Sequence, residues 1–198
     1  DADQLLSTFD SVLRIARLET GERRELLKPL DPKPILDDLA ELYEPACEDA
    51  GLSFDANIAS KTLILAERGL LSQAVSNLLE NAIKYTPRGG SICLFSRKLR
   101  GGGVEVAIRD DGPGIPTWDR ERVKERFVRL DKSRSLPGSG LGLSLVEAVA
   151  EFHRAEFVMT DNEELPPADK GGDPDRPGLS AALIFPRARA EAKLPATD

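Results

Sequence analysis

Asn77-Leu-Leu-Glu-Asn81-Ala-Ile-Lys84-Tyr85 closes a run, residues 67–85, in which Leu70, Leu71, Ala74, Val75, Leu78, Leu79 and Ala82 recur at helical spacing. Asn77, Asn81 and Lys84 stand at i, i+4 and i+7, so they share one face of that helix, and Gln73 extends the row backwards. Amide oxygens are hard, neutral ligands suited to Mg2+, and a nearby ammonium can meet phosphate oxygens. Taken alone, the same row is also what a solvated helix face looks like.

Two glycine loops lie downstream. Asp110-Asp111-Gly112-Pro113-Gly114-Ile115-Pro116 is too rich in glycine and proline for helix or strand. Its glycines let backbone approach a flat ligand, and its carboxylates can accept from an amine. In Gly138-Ser139-Gly140-Leu141-Gly142-Leu143, three alternate glycines run straight into a helix, where free N–H groups and the helix dipole favour a phosphate. Separately, the first reads equally as a strand-exit turn and the second as a linker with a helix start. Neither fits GxxxxGK(S/T), and neither satisfies GxGxxG after a strand.

The flanking chain mixes helices and strands without strict alternation. Residues 3–20 read as a helix with the stripe Leu5, Leu6, Phe9, Val12, Leu13 and Ala16; Ile15 and Leu18 lie off it, so the helix meets more than one neighbour. Packing on its own domain and packing in an intersubunit bundle are both open, the bundle being favoured by the breadth of the apolar surface. Pro29, Pro32 and Pro34 mark a hinge-like connection. Pro34–Asp49 reads as a second helix, with Ile35, Leu36, Leu39, Leu42, Tyr43 and Ala46 inward. Strands are expected at 52–58, Thr62–Ala66, Ile92–Phe95, Val104–Ile108, Phe157–Thr160 and Leu179–Phe185. A helix ends near His153, and a polar loop spans Asp161–Gly178. The pattern predicts an α+β, layered sandwich rather than a doubly wound parallel sheet.

Composition narrows the partners. The 198 residues carry 27 Lys+Arg against 34 Asp+Glu, a formal net charge of −7, with 5% aromatics. That balance argues against nucleic acid, which requires clustered Lys and Arg, yet leaves room for a local anion site. Cys47 and Cys93 form no CxxC pair, so a zinc or disulfide framework is not expected and a reducing, cytoplasmic setting fits. No apolar run approaches the roughly 20 residues of a membrane span, so direct membrane contact is not expected. The only methionine is Met159, which suggests a piece of a longer chain or a processed product.

In order, Asn77–Tyr85, Asp110–Pro116 and Gly138–Leu143 resemble the N, G1 and G2 boxes of sensor histidine kinases of two-component systems. Glu125-Arg-Phe127-Val-Arg129-Leu-Asp-Lys-Ser-Arg134 between them is similar to the F box and basic ATP lid, and Gly178–Pro186 to the closing glycine turn and last strand. The resemblance runs from about Leu5 to Pro186. It implies a Bergerat (GHKL) ATP-binding fold, a two-layer sandwich whose mixed sheet is covered by three helices, preceded by one amphipathic bundle helix. The implied units are residues 1–28, the second helix of the dimerisation and phosphoacceptor hairpin; 29–188, the catalytic ATP-binding domain; and a tail, 189–198.

The implied cofactors are ATP and Mg2+. Asn81 would hold the metal with Asn77 assisting, Lys84 would sit near the phosphates, and Tyr85 would line the pocket. Asp110 would accept from the adenine amino group, with Gly112, Gly114 and Ile115 in the same loop. Gly138, Ser139, Gly140, Leu141, Gly142 and Leu143 would surround the phosphates, and Arg129 and Arg134 would reach the γ-phosphate. Hydrolysing relatives with this fold carry a catalytic Glu four residues before the metal-binding Asn; Asn77 occupies that place and has no useful basicity. Phosphotransfer to an imidazole, itself nucleophilic when neutral, is therefore expected. Glu80 is a weaker base candidate.

The only histidine, His153, matches a structural turn, so the acceptor helix would lie outside this chain, on the same or a second subunit. A homodimeric parent and a response regulator are the implied partners, and the parent is either cytoplasmic or the cytoplasmic part of a membrane-anchored sensor. The alternatives are a GHKL-type ATPase switch and a kinase-like docking module without catalysis. Lys124 stands where an F-box aromatic is usual, Asp111 where Asn is frequent, and Glu67 where Asp precedes the N-box helix.

Overall fold

The computed structural model describes residues 2–20, 24–130, 139–162 and 177–188. Its elements are α1 (Ala2–Glu19), β1 (Lys28–Leu30), α2 (Lys33–Ala50), β2 (Ser53–Ile58), β3 (Ile64–Ala66), α3 (Arg68–Tyr85), β4 (Ser91–Lys98), β5 (Val104–Asp110), α4 (Gly142–Phe152), β6 (Glu156–Thr160) and β7 (Leu179–Phe185). Single 3-10 turns lie at Arg24–Leu26, Thr117–Asp119 and Arg122–Lys124.

The helix that carries the asparagine row is started by a side chain. Glu67, at the N-cap of α3, accepts from the N–H groups of Gly69 (3.0 Å) and Leu70 (2.7 Å), two donors the helix itself cannot satisfy. Glu thus performs the capping expected of an Asp. Leu71, Ala74, Val75, Leu78, Leu79 and Ala82 then bury one face of α3 as the period requires.

That face meets a five-stranded mixed sheet of order β2-β4-β5-β7-β6, in which β2 and β4 are parallel and the other pairs antiparallel. Alternation along the strands sends Ile92, Leu94, Val106, Ile108, Leu183 and Phe185 into the core under α2, α3 and α4. Cys93, Phe95, Ala107 and Ala182 form a small cluster on the other face, where the Arg109 guanidinium lies 3.7 Å from the Phe95 ring centroid. The expected two-layer sandwich with three covering helices is therefore found.

Three local expectations change. The proline connection contains a strand: Lys28–Leu30 pairs antiparallel with Ile64–Ala66, and Pro29 is tolerated there because a two-stranded ribbon leaves an edge that needs no donor. In α2, Cys47 is fully buried and Leu42 is 65% exposed. Cys47 follows Leu36 and Tyr43 at helical spacing, whereas no neighbour packs over Leu42. In α1, the off-stripe Ile15 and Leu18 are the residues buried on the domain, while Phe9 and Leu13 of the stripe are 61% and 39% exposed. Polar contacts add to that docking: Arg14 donates to Gln73 Oε1 (2.7 Å) and Glu19 pairs with Arg126. The helix therefore packs on its own domain through Ile15 and Leu18, with Val12 partly buried beside them, and leaves Phe9 and Leu13 outward. Among the described residues no helix is long and apolar enough to cross a membrane.

Candidate functional site

The end of β5 delivers Asp110 into a buried position, 7% exposed, where its Oδ1 accepts from the Gly112 N–H at 2.9 Å. Burial pushes its carboxyl up to about 7, with the Asp111 charge adding to the rise and the N–H groups of Gly112 and Leu179 opposing it. Asp111 turns away and accepts from Ser91 N–H (2.9 Å) and hydroxyl (3.1 Å), fastening the start of β4. One carboxylate of the pair is thus structural, and the other is desolvated at the end of β5.

The loop after Asp110 is shaped by a close backbone crossing. Gly178, at φ +66°, sits where an added Cβ would come within 2.4 Å of the Asp110 carbonyl oxygen, and its N–H donates to Gly112 O at 3.0 Å. Only glycine combines that conformation with that approach. Ile115 stays half-buried, and its carbonyl accepts from Arg120 Nε at 3.0 Å. Asn162 Nδ2 donates to the Asp110 carbonyl at 2.9 Å. Sequence reasoning singled out neither Arg120 nor Asn162. The one available signal was an Asp-Asn pair at the base of the long polar loop.

Farther back along α3, that helix meets α4. A Cβ at Gly142 would lie 3.3 Å from Asn77 Oδ1 and 3.8 Å from Asn81 Nδ2, so the first residue of α4 faces both asparagines. Asn77 spends its Nδ2 on the Gln73 carbonyl (3.0 Å), which leaves its oxygen as the group facing Gly142. Lys84, in the last turn of α3, holds its ammonium 4.8 Å from the Tyr85 ring centroid. Leu141, at the N-cap of α4, offers no side-chain cap, and no acid occupies the first turn, so the opening N–H groups present a positive end. Leu141 itself is buried in the core. Leu143 is half-buried against that core and Ser139 is exposed. Glu80 is directed elsewhere, accepting from Tyr43 of α2 at 3.1 Å.

The lid base is tied to the second glycine loop. Phe127, at φ +64°, donates its N–H to Gly140 O (3.0 Å), and a Cβ at Gly140 would meet the Phe127 backbone at 2.9 Å. Phe127, Val128, Arg129 and Arg122 line a cleft of about 430 Å3 there. Arg134 and Gly138 lie outside the described residues. Lys124 does the work of the missing aromatic: its ammonium is 5.5 Å from the Phe157 ring centroid, donates to Phe157 O (3.1 Å) and pairs with Glu121. Burial raises the carboxyl of Glu147, which faces the same ammonium at 3.5 Å.

His153 is buried and occupied at both ring nitrogens. Nε2 accepts from Glu67 N–H (3.0 Å) and Nδ1 donates to Val149 O (2.7 Å), which fixes a neutral tautomer. Burial pulls its pKa down. It links the end of α4 to the start of α3 and is inaccessible as a nucleophile.

Asp110 and its glycine loop therefore lie against the C-terminal end of α3, where a Cβ at Gly112 would come 3.2 Å from Tyr85 O, and Gly142 faces Asn77 and Asn81 farther back along the same helix. A desolvated acceptor stands at one end, and amide oxygens with a positive helix end stand at the other. That polarity suits a flat, amine-bearing group joined to an anion.

Residues 66–178 match the family model described as histidine kinase-, DNA gyrase B- and HSP90-like ATPase. The chain is 36% identical over 161 residues to the sensor-like histidine kinase SenX3 of Mycolicibacterium smegmatis, covering 80% of this chain and 42% of that protein. Among solved structures, the mycobacterial sensor histidine kinase MprB superposes with TM-score 0.66 at 29% identity, over 82% of this chain and 99% of that one. Full-length ShkA in complex with AMPPNP superposes with TM-score 0.75 at 29% identity, over 97% of this chain and 38% of that one.

Proposed function

Because the chain belongs to the histidine kinase-, DNA gyrase B- and HSP90-like ATPase family, we propose that it binds Mg-ATP as the catalytic domain of a sensor histidine kinase. It would pass the γ-phosphoryl group to a histidine on a dimerisation helix outside this chain, for onward transfer to a response-regulator aspartate. Residues 29–188 are the ATP-binding unit in this reading, and α1, with Phe9 and Leu13 outward, belongs to the dimerisation hairpin of a homodimeric parent. The chain spans about two fifths of the length of the curated relatives it matches.

Asp110 accepts from the adenine amino group, with Tyr85 lining that side. Asn81 and Asn77 are the oxygen donors that would hold Mg2+, whose chemistry is neutralisation of phosphate charge; the Asn77 oxygen, left unused by the bond to Gln73 O and turned toward the start of α4, fits that use. Lys84, the α4 N-terminus and Arg129 supply positive charge along the phosphates. In the transfer, an acceptor imidazole nitrogen forms a bond to the γ-phosphorus as the bond to the bridging oxygen breaks, and ADP leaves with that electron pair.

One observation favours kinase over hydrolase: at the places where α3 could carry a base for water, position 77 is an amide bonded to Gln73 O and Glu80 is engaged by Tyr43. Mg-ATP at 100 times its Kd should stabilise the fold by about 2.7 kcal/mol. A flat thermal melt across a Mg-ATP titration overturns the reading. Asn81→Ala should abolish the shift, and the isolated chain should acquire no label from radiolabelled ATP, because its single histidine is buried.

A further inference from the structure

The Asp110–Ile115 loop is held from behind at both ends by one dipeptide. Asp161 and Asn162 follow the last residue of β6. Asn162 Nδ2 donates to the Asp110 carbonyl (2.9 Å), at the start of the loop, and the Asn162 N–H donates to Pro177 O (3.2 Å). Asp161 pairs with Arg120, whose Nε donates to the Ile115 carbonyl (3.0 Å), at the end of the loop. The Arg120 side chain is 13% exposed and so is held in place, while Asp161 reaches it from the surface at 52% exposure. The middle of the loop is pinned independently by Gly178 N–H to Gly112 O.

We propose that Asn162 and Arg120 are positioning residues for base recognition, which fix the Asp110 carboxylate so that adenine is accepted and guanine refused. This rests on the Mg-ATP reading above. An ionised carboxylate is an acceptor only. It pairs with an exocyclic amine, whereas the carbonyl that guanine carries at that place would meet it acceptor to acceptor. Refusal of that kind is strong only while the acceptor cannot retreat, since a loop free to move relieves the clash. Both clamp bonds end on backbone carbonyls, so they act on where the loop sits and do not compete with a ligand for the Asp110 carboxylate.

The test is displacement of a fluorescent adenine nucleotide by ATP, ADP and GTP, with Mg2+, on the full 198-residue chain. Asn162→Asp is isosteric and replaces the donor by an acceptor. Affinity for ATP and ADP should fall together by about tenfold, the range of one lost hydrogen bond, with affinity for GTP unchanged, so that the purine preference narrows by the same factor. Arg120→Gln should act in the same direction from the other end of the loop and serves if Asn162→Asp does not fold. An ATP affinity within twofold of wild type in a folded variant overturns the proposal, as does equal weakening of ATP and GTP, which would mark a merely structural role. Failure of the wild-type chain to bind any Mg-nucleotide is read first and overturns the functional assignment itself.

Discussion

Replacing Asp110 by Asn should stabilise the nucleotide-free chain while disabling it. The carboxyl is 7% exposed and is raised from 3.8 to about 7, chiefly by burial. Its folded pKa lies above its unfolded one, so the folded state retains a proton that the unfolded chain loses between those values. The contribution of the protonated group is fully present below about pH 4 and is lost as pH rises through about 7. At about 1.4 kcal/mol per decade, the buried charge costs roughly 4 kcal/mol above neutrality. Asn can keep the 2.9 Å bond from Gly112 N–H but brings an amide group that needs its own partners, so that figure is a ceiling. A net gain of about 1–3 kcal/mol at pH 8, or roughly 3–10 °C in Tm, is expected for a chain of this size. Scanning calorimetry at pH 5 and pH 8 on both proteins measures it: the gap should open at pH 8 and shrink at pH 5. A variant less stable than wild type at pH 8, or a gap independent of pH, refutes the reasoning. Affinity of the wild type for ATP should also fall as pH drops from 8 to 6, because with Oδ1 held by Gly112 N–H a proton on the other oxygen puts a donor where the base amine needs an acceptor.

Gly178→Ala should cost more than 2 kcal/mol in urea titrations, since it combines a positive φ with a 2.4 Å approach to Asp110 O, and it should weaken nucleotide binding in the same preparation. Lys124→Met keeps the stem over Phe157 but strips the Phe157 carbonyl and Glu147 of their cation; a loss of about 1–3 kcal/mol by chemical denaturation is expected. His153 has a lowered folded pKa, so its contribution is present above about 6.5 and is lost as pH falls below it. His153→Gln should flatten that acid limb in a Tm-versus-pH series, and a limb of unchanged slope would show that another group sets it.

The elements that sequence made legible are those fixed by local rules. The bounds of α3, the glycine loops and the last strand are written in period, glycine placement and a short apolar run, and the N-box face was visible as an i, i+4, i+7 row. What escaped was set by distant partners. Lys28–Leu30 is too short for alternation to register, and it is a strand only because Ile64–Ala66 pairs with it. The α1 stripe was legible as apolar, yet two residues beside it, Ile15 and Leu18, meet α4 and decide how the helix sits. Arg120 and Asn162 have no motif because both act on backbone carbonyls, which every residue possesses. The significance of Lys124 could not be read from its type, since its stem replaces an aromatic only when Phe157 lies beneath it.

The strand order has a consequence for how the protein is made. β7 is last in sequence, yet it lies between β5 and β6. A nascent chain that has emerged as far as β6 therefore has an open hydrogen-bonding edge on β5 and a β6 with no neighbour, both hazards for association with other chains. Gly178 emerges 68 residues after Asp110, about 3–14 s later at ordinary synthesis rates. Until then the corner beneath Asp110 has no floor. The sheet and the ligand cleft are completed in one late event, when β7 is inserted, so a ribosome stalled before residue 179 should hold a chain with neither.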